Sequence, residues 1–367
     1  MKPVLVAGTR PNFVKIAPLA AALRRFPEEF TPVVVHTGQH YDYNMSGVFL
    51  SDLGMPPPDH FLEAGTCSGA AQIAAIIARF DRVLQREEPD LVIVAGDVAG
   101  TLACAITAAV SDVPLAHVEA GLRCGDRRLP EEINRVATDA AADLLFTYSE
   151  DADANLLAEN VPARCIHRVG NLMIDTLRRL RPRAEQSSIL SDLGLSPGEY
   201  GVVTLHRQAN VDAAAPLEGI LRALVEIQGR LPLVFPVHPR TRRNLRRFGL
   251  DALAAEAGNL RLVEPLGYLD MLKLLASSAI ALVDSGGIQE ETTVLGVPCL
   301  TLRESTERPV TVTQGTNRLT GTATGRIVEE AGRVLDGEAP GGRIPDLWDG
   351  RSAERLVEHL RQPIKRR

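Results

Sequence analysis

The chain has 367 residues, 45% of them hydrophobic, and a formal net charge of -6. That length exceeds what one hydrophobic core usually organises, so two domains are expected, and the negative balance argues against a nucleic-acid partner. The longest apolar stretches, such as 70–78 and 280–283, fall far short of the ~20 residues a membrane span requires, so no membrane association is expected.

From the N-terminus, β-rich runs at 4–7, 31–37, 91–95, 115–119 and 144–148 alternate with amphipathic runs at 14–25, 70–86, 101–110, 133–141 and 151–159. This rhythm predicts a doubly wound parallel sheet. A polar segment at 181–196, with Pro182 inside it and Pro197 after it, interrupts the pattern. Strands then resume at 200–204, 233–237, 260–263, 279–284 and 299–303. The expected fold class is α/β, with two doubly wound Rossmann-like domains facing a cleft. The domains are placed at 1–178 and 179–349, and a C-terminal helix within 350–367 is expected to pack back on the first. Internal repeats are absent.

Met1-Lys2-Pro3 leads directly into the first strand with no secretory signal, so a cytoplasmic protein is expected. Cys67, Cys104, Cys124, Cys165 and Cys299 are scattered without paired metal spacing. Reduced thiols and no bound metal follow. Cys124 lies among polar motif residues and reads as a small residue near a site more readily than as a nucleophile. The cluster Arg240, Arg242, Arg243, Arg246 and Arg247 is explained by a solvated helix face.

The most informative stretch is Asp284-Ser285-Gly286-Gly287-Ile288-Gln289-Glu290-Glu291, which follows an apolar strand. Gly286 and Gly287 let a ligand approach the backbone, and the amides and dipole of a starting helix favour anionic oxygens. Ser285 adds a hydroxyl donor, and Glu291, about two turns in, suits both hydroxyls of a ribose. The plainer reading is a strand-to-helix turn with Ser285 as N-cap. Earlier, Gly8-Thr9-Arg10-Pro11-Asn12-Phe13-Val14-Lys15 offers Arg10 and Lys15 to balance a diphosphate. The three-glycine dinucleotide fingerprint is missing at that turn, which argues against a nicotinamide enzyme.

Carboxylates stand at three strand ends or loops: Asp97, Glu119, and Glu131 beside Glu132. Acids at the tips of apolar strands are desolvated, which raises their pKa towards the range useful in acid–base catalysis. A structural ion-pair network with Arg123, Asp126, Arg127, Arg128 and Arg135 is the competing explanation. His206 and His238 each follow an apolar strand of the second half and suit phosphate contact or proton transfer. His117 and His40 are weaker candidates, flanked by residues able to hold them.

These segments, with Thr37-Gly38-Gln39-His40, His117-Val118-Glu119-Ala120-Gly121-Leu122-Arg123, Pro130-Glu131-Glu132-Ile133-Asn134-Arg135, Val169-Gly170-Asn171, Pro236-Val237-His238-Pro239 and Thr306-Glu307-Arg308-Pro309, run in order from about residue 3 to about 360. Together they resemble the non-hydrolysing UDP-N-acetylglucosamine 2-epimerases. The resemblance implies a glycosyltransferase-B architecture with UDP held mainly by the second domain, a homodimer, no cofactor, and elimination of UDP to 2-acetamidoglucal followed by re-addition. It assigns Asp97, Glu119 and Glu131 as acid–base carboxylates and His206 as the catalytic or phosphate-contacting histidine. Arg10, Lys15, Arg135, His238, Ser285, Gly286, Gly287 and Arg308 match substrate and diphosphate contacts, Glu291 the ribose contact, and Met271 a position where an aromatic residue often packs the uracil.

Departures accompany the matches. Gln208-Ala209-Asn210 lacks a glutamate that many members carry two residues after His206-Arg207, so a polar contact is expected to be missing there. Allosterically regulated members have a shorter segment after Gln-His and an arginine near position 208, where this chain has Gln39-His40-Tyr41-Asp42-Tyr43-Asn44-Met45 and Gln208. A missing or altered allosteric site is therefore expected. The longer form also resembles relatives acting on diacetamido uronic acid derivatives, for which Arg127 or Arg128 is a candidate partner of the uronate. The motifs are also compatible with a hydrolysing 2-epimerase, in which water intercepts the intermediate, and with a glycosyltransferase, which would share the fold, the diphosphate cradle and the ribose glutamate.

Overall fold

The structure is a computed structural model that describes residues 1–38, 49–65, 69–339, 341–364 and 366–367. The expectations placed on Gln39 to Met45, His40 included, and on Cys67 lie outside the described residues. The chain divides into two compact units, Met1–Arg179 with Asp346–Arg367, and Leu180–Pro345.

The first unit holds β1 (Pro3–Ala7), β2 (Val33–His36), β3 (His60–Phe61), β4 (Leu91–Ala95), β5 (Leu115–Val118), β6 (Leu144–Thr147) and β7 (Ile166–Arg168). They form one parallel sheet in the order β3-β2-β1-β4-β5-β6-β7. The inner strands β1, β4, β5 and β6 are buried along their whole length. Their unbroken apolar runs are what a sheet covered by helices on both faces requires. The edge strands β3 and β7 are short and partly exposed, so they leave no apolar run to detect.

Helix Arg10–Arg24 starts four residues before the apolar periodicity does. Thr9 is its N-cap, and Asn12 reaches back to the Thr9 amide at 3.1 Å. Helix Leu172–Ala184 runs through Pro182, which falls in its last turn and removes one bond of the ladder there without ending the helix. The segment expected to break the rhythm thus begins as helix. At the far end, Asp175 accepts the amides of Ser352 (3.1 Å) and Ala353 (2.7 Å) and caps helix Ser352–Leu360, which packs on helix Arg10–Arg24. Trp348 is fully buried and donates to the Tyr148 carbonyl at 3.0 Å.

The second unit holds β8 (Gly201–Thr204), β9 (Leu233–Pro236), β10 (Leu260–Val263), β11 (Ile280–Val283), β12 (Cys299–Thr301) and β13 (Asn317–Leu319), parallel in the order β10-β9-β8-β11-β12-β13. Each unit is therefore doubly wound, as the alternation predicts. Strand order reverses between β1 and β4 in one sheet and between β8 and β11 in the other. Ligands of open α/β sheets bind at such reversals, beyond the carboxyl ends of the strands. No helix among the described residues is long and apolar enough to cross a membrane.

Candidate active site

In the first unit, polar side chains gather where β1, β4 and β5 end. Asn12 accepts from the Thr9 hydroxyl at 2.6 Å and donates to the Ala95 carbonyl at 2.7 Å, tying the β1 loop to the end of β4. Lys15, buried on the same helix, forms an ion pair with Glu119, which directly follows β5 and is itself buried. Gly96 lies between the elements with φ +71°. A β-carbon there would stand 3.2 Å from Lys15 Nζ and 3.5 Å from Glu119 Oε2, so the left-handed backbone favours glycine and a side chain would crowd the Lys15 amine.

Glu119 has φ +69°, a left-handed conformation disfavoured by about 1–2 kcal/mol for a residue with a side chain. The amides of Glu119 and Ala120 both donate to the Phe146 carbonyl, at 3.0 and 3.1 Å, and hold it there. A strained backbone maintained in this way points to a carboxylate whose direction matters.

Asp97 pairs with Arg135, and Asn134 donates to the Asp97 carbonyl at 2.8 Å. Arg135 also pairs with Glu132, which accepts the Cys124 amide (3.1 Å), the Gly125 amide (2.9 Å) and the Cys124 thiol (3.3 Å). Burial raises the Glu132 carboxyl, but those amides and Arg135 prevail and hold it below its ordinary value. Burial and the Glu132 charge push the Cys124 thiol up, away from nucleophilic use. Glu132 and Cys124 are thus structural. Glu131 stands in the first turn of helix Pro130–Ala141, partly exposed.

His117 is fully buried between Asp139 (2.6 Å) and the Gly96 carbonyl (2.8 Å). Burial would raise the Asp139 carboxyl, but His117 and Arg123 outweigh it and lower it. His117 is therefore a positioning group under the Gly96-Asp97 turn. Arg10 is exposed at the start of its helix, with its guanidinium 5.4 Å from the centre of the Phe49 ring.

In the second unit, Asp284 follows β11 and is completely buried. It accepts the amides of His206 (3.0 Å) and Arg207 (2.9 Å) and the Asn210 side chain (3.2 Å), and it faces His206 Nδ1 at 3.1 Å. Burial raises the Asp284 carboxyl, and the His206 ring and these amides more than reverse that. Asp284 thereby fixes the imidazole and leaves Nε2 as the ring nitrogen it does not occupy. The His238 ring lies 5.8 Å from that of His206, and its Nδ1 caps helix Pro239–Arg247 by accepting the Arg240 amide at 3.2 Å.

Helix Gly286–Leu295 begins after Ser285, whose hydroxyl makes no capping hydrogen bond. The space beside the first turn belongs to Arg308. A β-carbon on Gly286 would meet Arg308 Nη1 at 2.3 Å and Cζ at 2.6 Å. A guanidinium laid against the positive end of a helix makes an anion site, and Gly286 is what admits it. Glu291 is buried and accepts from the Tyr268 hydroxyl at 2.9 Å. Burial pushes its carboxyl up to about 7, with Tyr268 pulling it down and Glu290 adding to the rise. Met271 lies one turn after Tyr268, partly buried against the core that includes Tyr200 and Val283.

A family model described as UDP-N-acetylglucosamine 2-epimerase matches residues 21–361. The chain belongs to this family. A UDP-N-acetylglucosamine 2-epimerase homolog of Methanococcus maripaludis is 39% identical over 98% of this chain and 99% of its own. The UDP-2,3-diacetamido-2,3-dideoxy-D-glucuronate 2-epimerase of Pseudomonas aeruginosa is 37% identical with 98% and 99% covered. The crystal structure of the Methanocaldococcus jannaschii UDP-GlcNAc 2-epimerase in complex with UDP-GlcNAc and UDP superposes with a TM-score of 0.91 at 36% identity, covering 98% of this chain and 99% of that one.

As a UDP-GlcNAc 2-epimerase family member, the chain brings together Lys15 with Glu119, Asp97 with Arg135, His206 with His238, and Gly286 with Arg308. The motif reading passes over Asn12, Asp284, Glu290, Glu307 and Tyr268. Four of them lie inside the motifs themselves. Tyr268 lies outside, and its one sequence signal is an aromatic residue at a helix start after Gly267.

Proposed function

We propose that the protein interconverts UDP-GlcNAc and UDP-ManNAc without redox chemistry. The proton on C2 is removed as the C1–O bond breaks, and UDP leaves with the electron pair to give 2-acetamidoglucal. A proton then returns to the opposite face of C2 as UDP adds back to C1. The observation that carries this reading is Glu119: a buried carboxylate in a left-handed backbone, paired with Lys15 beside the left-handed turn at Gly96.

The C2 hydrogen is weakly acidic, so cleavage of the C–O bond leads and the leaving diphosphate needs charge balance. Arg308, the amides at Ser285, Gly286 and Gly287, and His206 supply it in the second unit. Glu291 takes the ribose hydroxyls, Met271 lies by the uracil, and His238, Arg10 and Lys15 complete the substrate contacts. Inversion of one carbon needs proton transfer on two faces, and Asp97, Glu119 and Glu131 serve it, with Arg135 holding Asp97. The enzyme works as a cytoplasmic homodimer and needs no cofactor.

A second substrate is favoured by the match to the Pseudomonas diacetamido-glucuronate epimerase, which is as similar over as much of the chain as the GlcNAc epimerases. Arg127 or Arg128, both exposed before helix Pro130–Ala141, is then the cation for the uronate. Initial rates on UDP-GlcNAc and on UDP-2,3-diacetamido-2,3-dideoxy-glucuronate, resolved by anion-exchange chromatography, test the assignment. Turnover of UDP-GlcNAc to UDP-ManNAc supports it. Turnover of the uronate alone moves the substrate, and UDP plus free sugar as products contradicts the non-hydrolysing mechanism.

A further inference from the structure

Arg308 is held from two sides. Its Nε donates to Glu290 at 2.9 Å, and its Nη1 donates to Glu307. Both carboxylates are buried, Glu290 completely and Glu307 at 2% exposure. Glu307 is also reached by Arg303 at 2.9 Å and Arg207 at 3.2 Å. Burial would raise its carboxyl, but the guanidiniums of Arg308, Arg303 and Arg207 drive it well below the ordinary carboxylate range.

The arginines come from three places in the second unit. Arg207 follows β8 next to His206, Arg303 follows β12, and Arg308 lies against the first turn of helix Gly286–Leu295. Thr306 adds a backbone brace by accepting the Arg308 amide at 3.1 Å while donating to Gln289 on that helix at 2.7 Å. One carboxylate thus joins the loop after β8, the loop after β12 and the anion site.

We infer that Glu307 is a positioning residue for the proposed reaction, fixing with Glu290 the plane and register of the Arg308 guanidinium over the Gly286 turn. This role rests on the epimerase function proposed for the site and adds to it. The Arg308 guanidinium, paired with Glu290 and Glu307, lies beside a helix N-terminus. One negative charge develops on the β-phosphate as UDP leaves. A guanidinium fixed in place meets that charge with no reorganisation, whereas a loose one binds the diphosphate without stabilising its departure. Glu307 therefore acts on kcat more than on binding.

The test is a double-mutant cycle on the full chain with Glu307→Gln and Arg308→Lys, reading kcat for epimerisation, UDP affinity by calorimetry and thermal stability. Glu307→Gln lowers kcat roughly 10–100-fold, while UDP affinity stays within about threefold or tightens, because a carboxylate has been taken from a cationic cluster. The double variant is no slower than Arg308→Lys alone, within about threefold, because Arg308→Lys already removes the guanidinium that Glu307 holds. Wild-type kcat in Glu307→Gln overturns the inference. So do losses that multiply in the double variant, or a kcat that falls only in step with the fraction of sites binding UDP. If Glu307→Gln does not fold, Glu290→Gln opens the other side of the clamp and enters the same cycle. A wild-type protein that binds UDP but turns over no UDP-sugar brings down the functional reading and the inference with it, before any variant is made.

Discussion

Lys15 and Glu119, 104 residues apart in sequence, form a buried ion pair at the carboxyl ends of the central strands of the first unit. Removing one member of such a pair leaves a buried charge uncompensated. Lys15→Met is expected to cost about 3–5 kcal/mol of stability, and adding Glu119→Gln to it recovers most of that loss. Denaturant titration of the four proteins in this cycle checks it.

Glu119→Gln alone keeps the side-chain shape, removes a carboxylate proposed for proton transfer, and costs some stability because Lys15 loses that charge. Turnover falls by roughly two to four powers of ten, whereas UDP affinity falls far less, since most of the proposed nucleotide contacts lie in the other unit. Asp97→Asn behaves likewise, although Arg135 then loses a charged partner and some stability goes with it. Steady-state rates set beside UDP calorimetry separate the two effects. Near-normal turnover in either variant makes that residue part of the scaffold.

Glu291 gives UDP binding a pH dependence of defined sign. Its carboxyl is pushed up to about 7 by burial, and in the proposed ribose contact only the ionised form accepts both hydroxyls. Affinity for UDP is therefore full above about pH 8 and weakens below 7, by up to about tenfold per pH unit, with proton uptake on release. Calorimetry in buffers of different ionisation enthalpy reads the linked proton.

The same group makes the opposite contribution to stability. Its pKa in the folded protein is raised above the ordinary 4.5, so its contribution is fully present below pH 4.5 and lost as pH rises through about 7. Glu291→Gln should raise the melting temperature at pH 8, have no such effect near pH 4, and abolish tight UDP binding at pH 8.

Gly286→Ala places a methyl group on the Arg308 guanidinium. Displacement of that group should weaken UDP binding and slow turnover together, each by about tenfold or more. Gly325→Ala, at a helical position with nothing within 4 Å, should change neither and serves as the control.

The parts of the fold with a strong sequence signal are the buried ones. Strands β1, β4 and β11 read as unbroken apolar runs because helices cover both faces of the sheet, whereas β3, β7 and β13 are too short to leave a pattern. Pro182 misleads because a proline in the last turn does not end a helix early. In the site, strand-end position alone singles out Glu119 and His206. The roles of Asp284, Glu307 and Tyr268 need three dimensions, since each acts on a residue from another element: Asp284 on His206, Glu307 on Arg207, and Tyr268 on Glu291. Glu132 shows the converse. Its neighbour Glu131 looks the same in sequence, but only the fold assigns Glu132 to the amides of Cys124 and Gly125.

The most direct test of the central claim is proton NMR of the purified protein with UDP-GlcNAc in deuterated water. The account predicts a new UDP-ManNAc anomeric signal and deuterium at C2 of both sugars, incorporated no more slowly than the epimer appears. Epimer formed with C2 hydrogen retained, or an unchanged substrate spectrum on this sugar and on the diacetamido uronate, would contradict it.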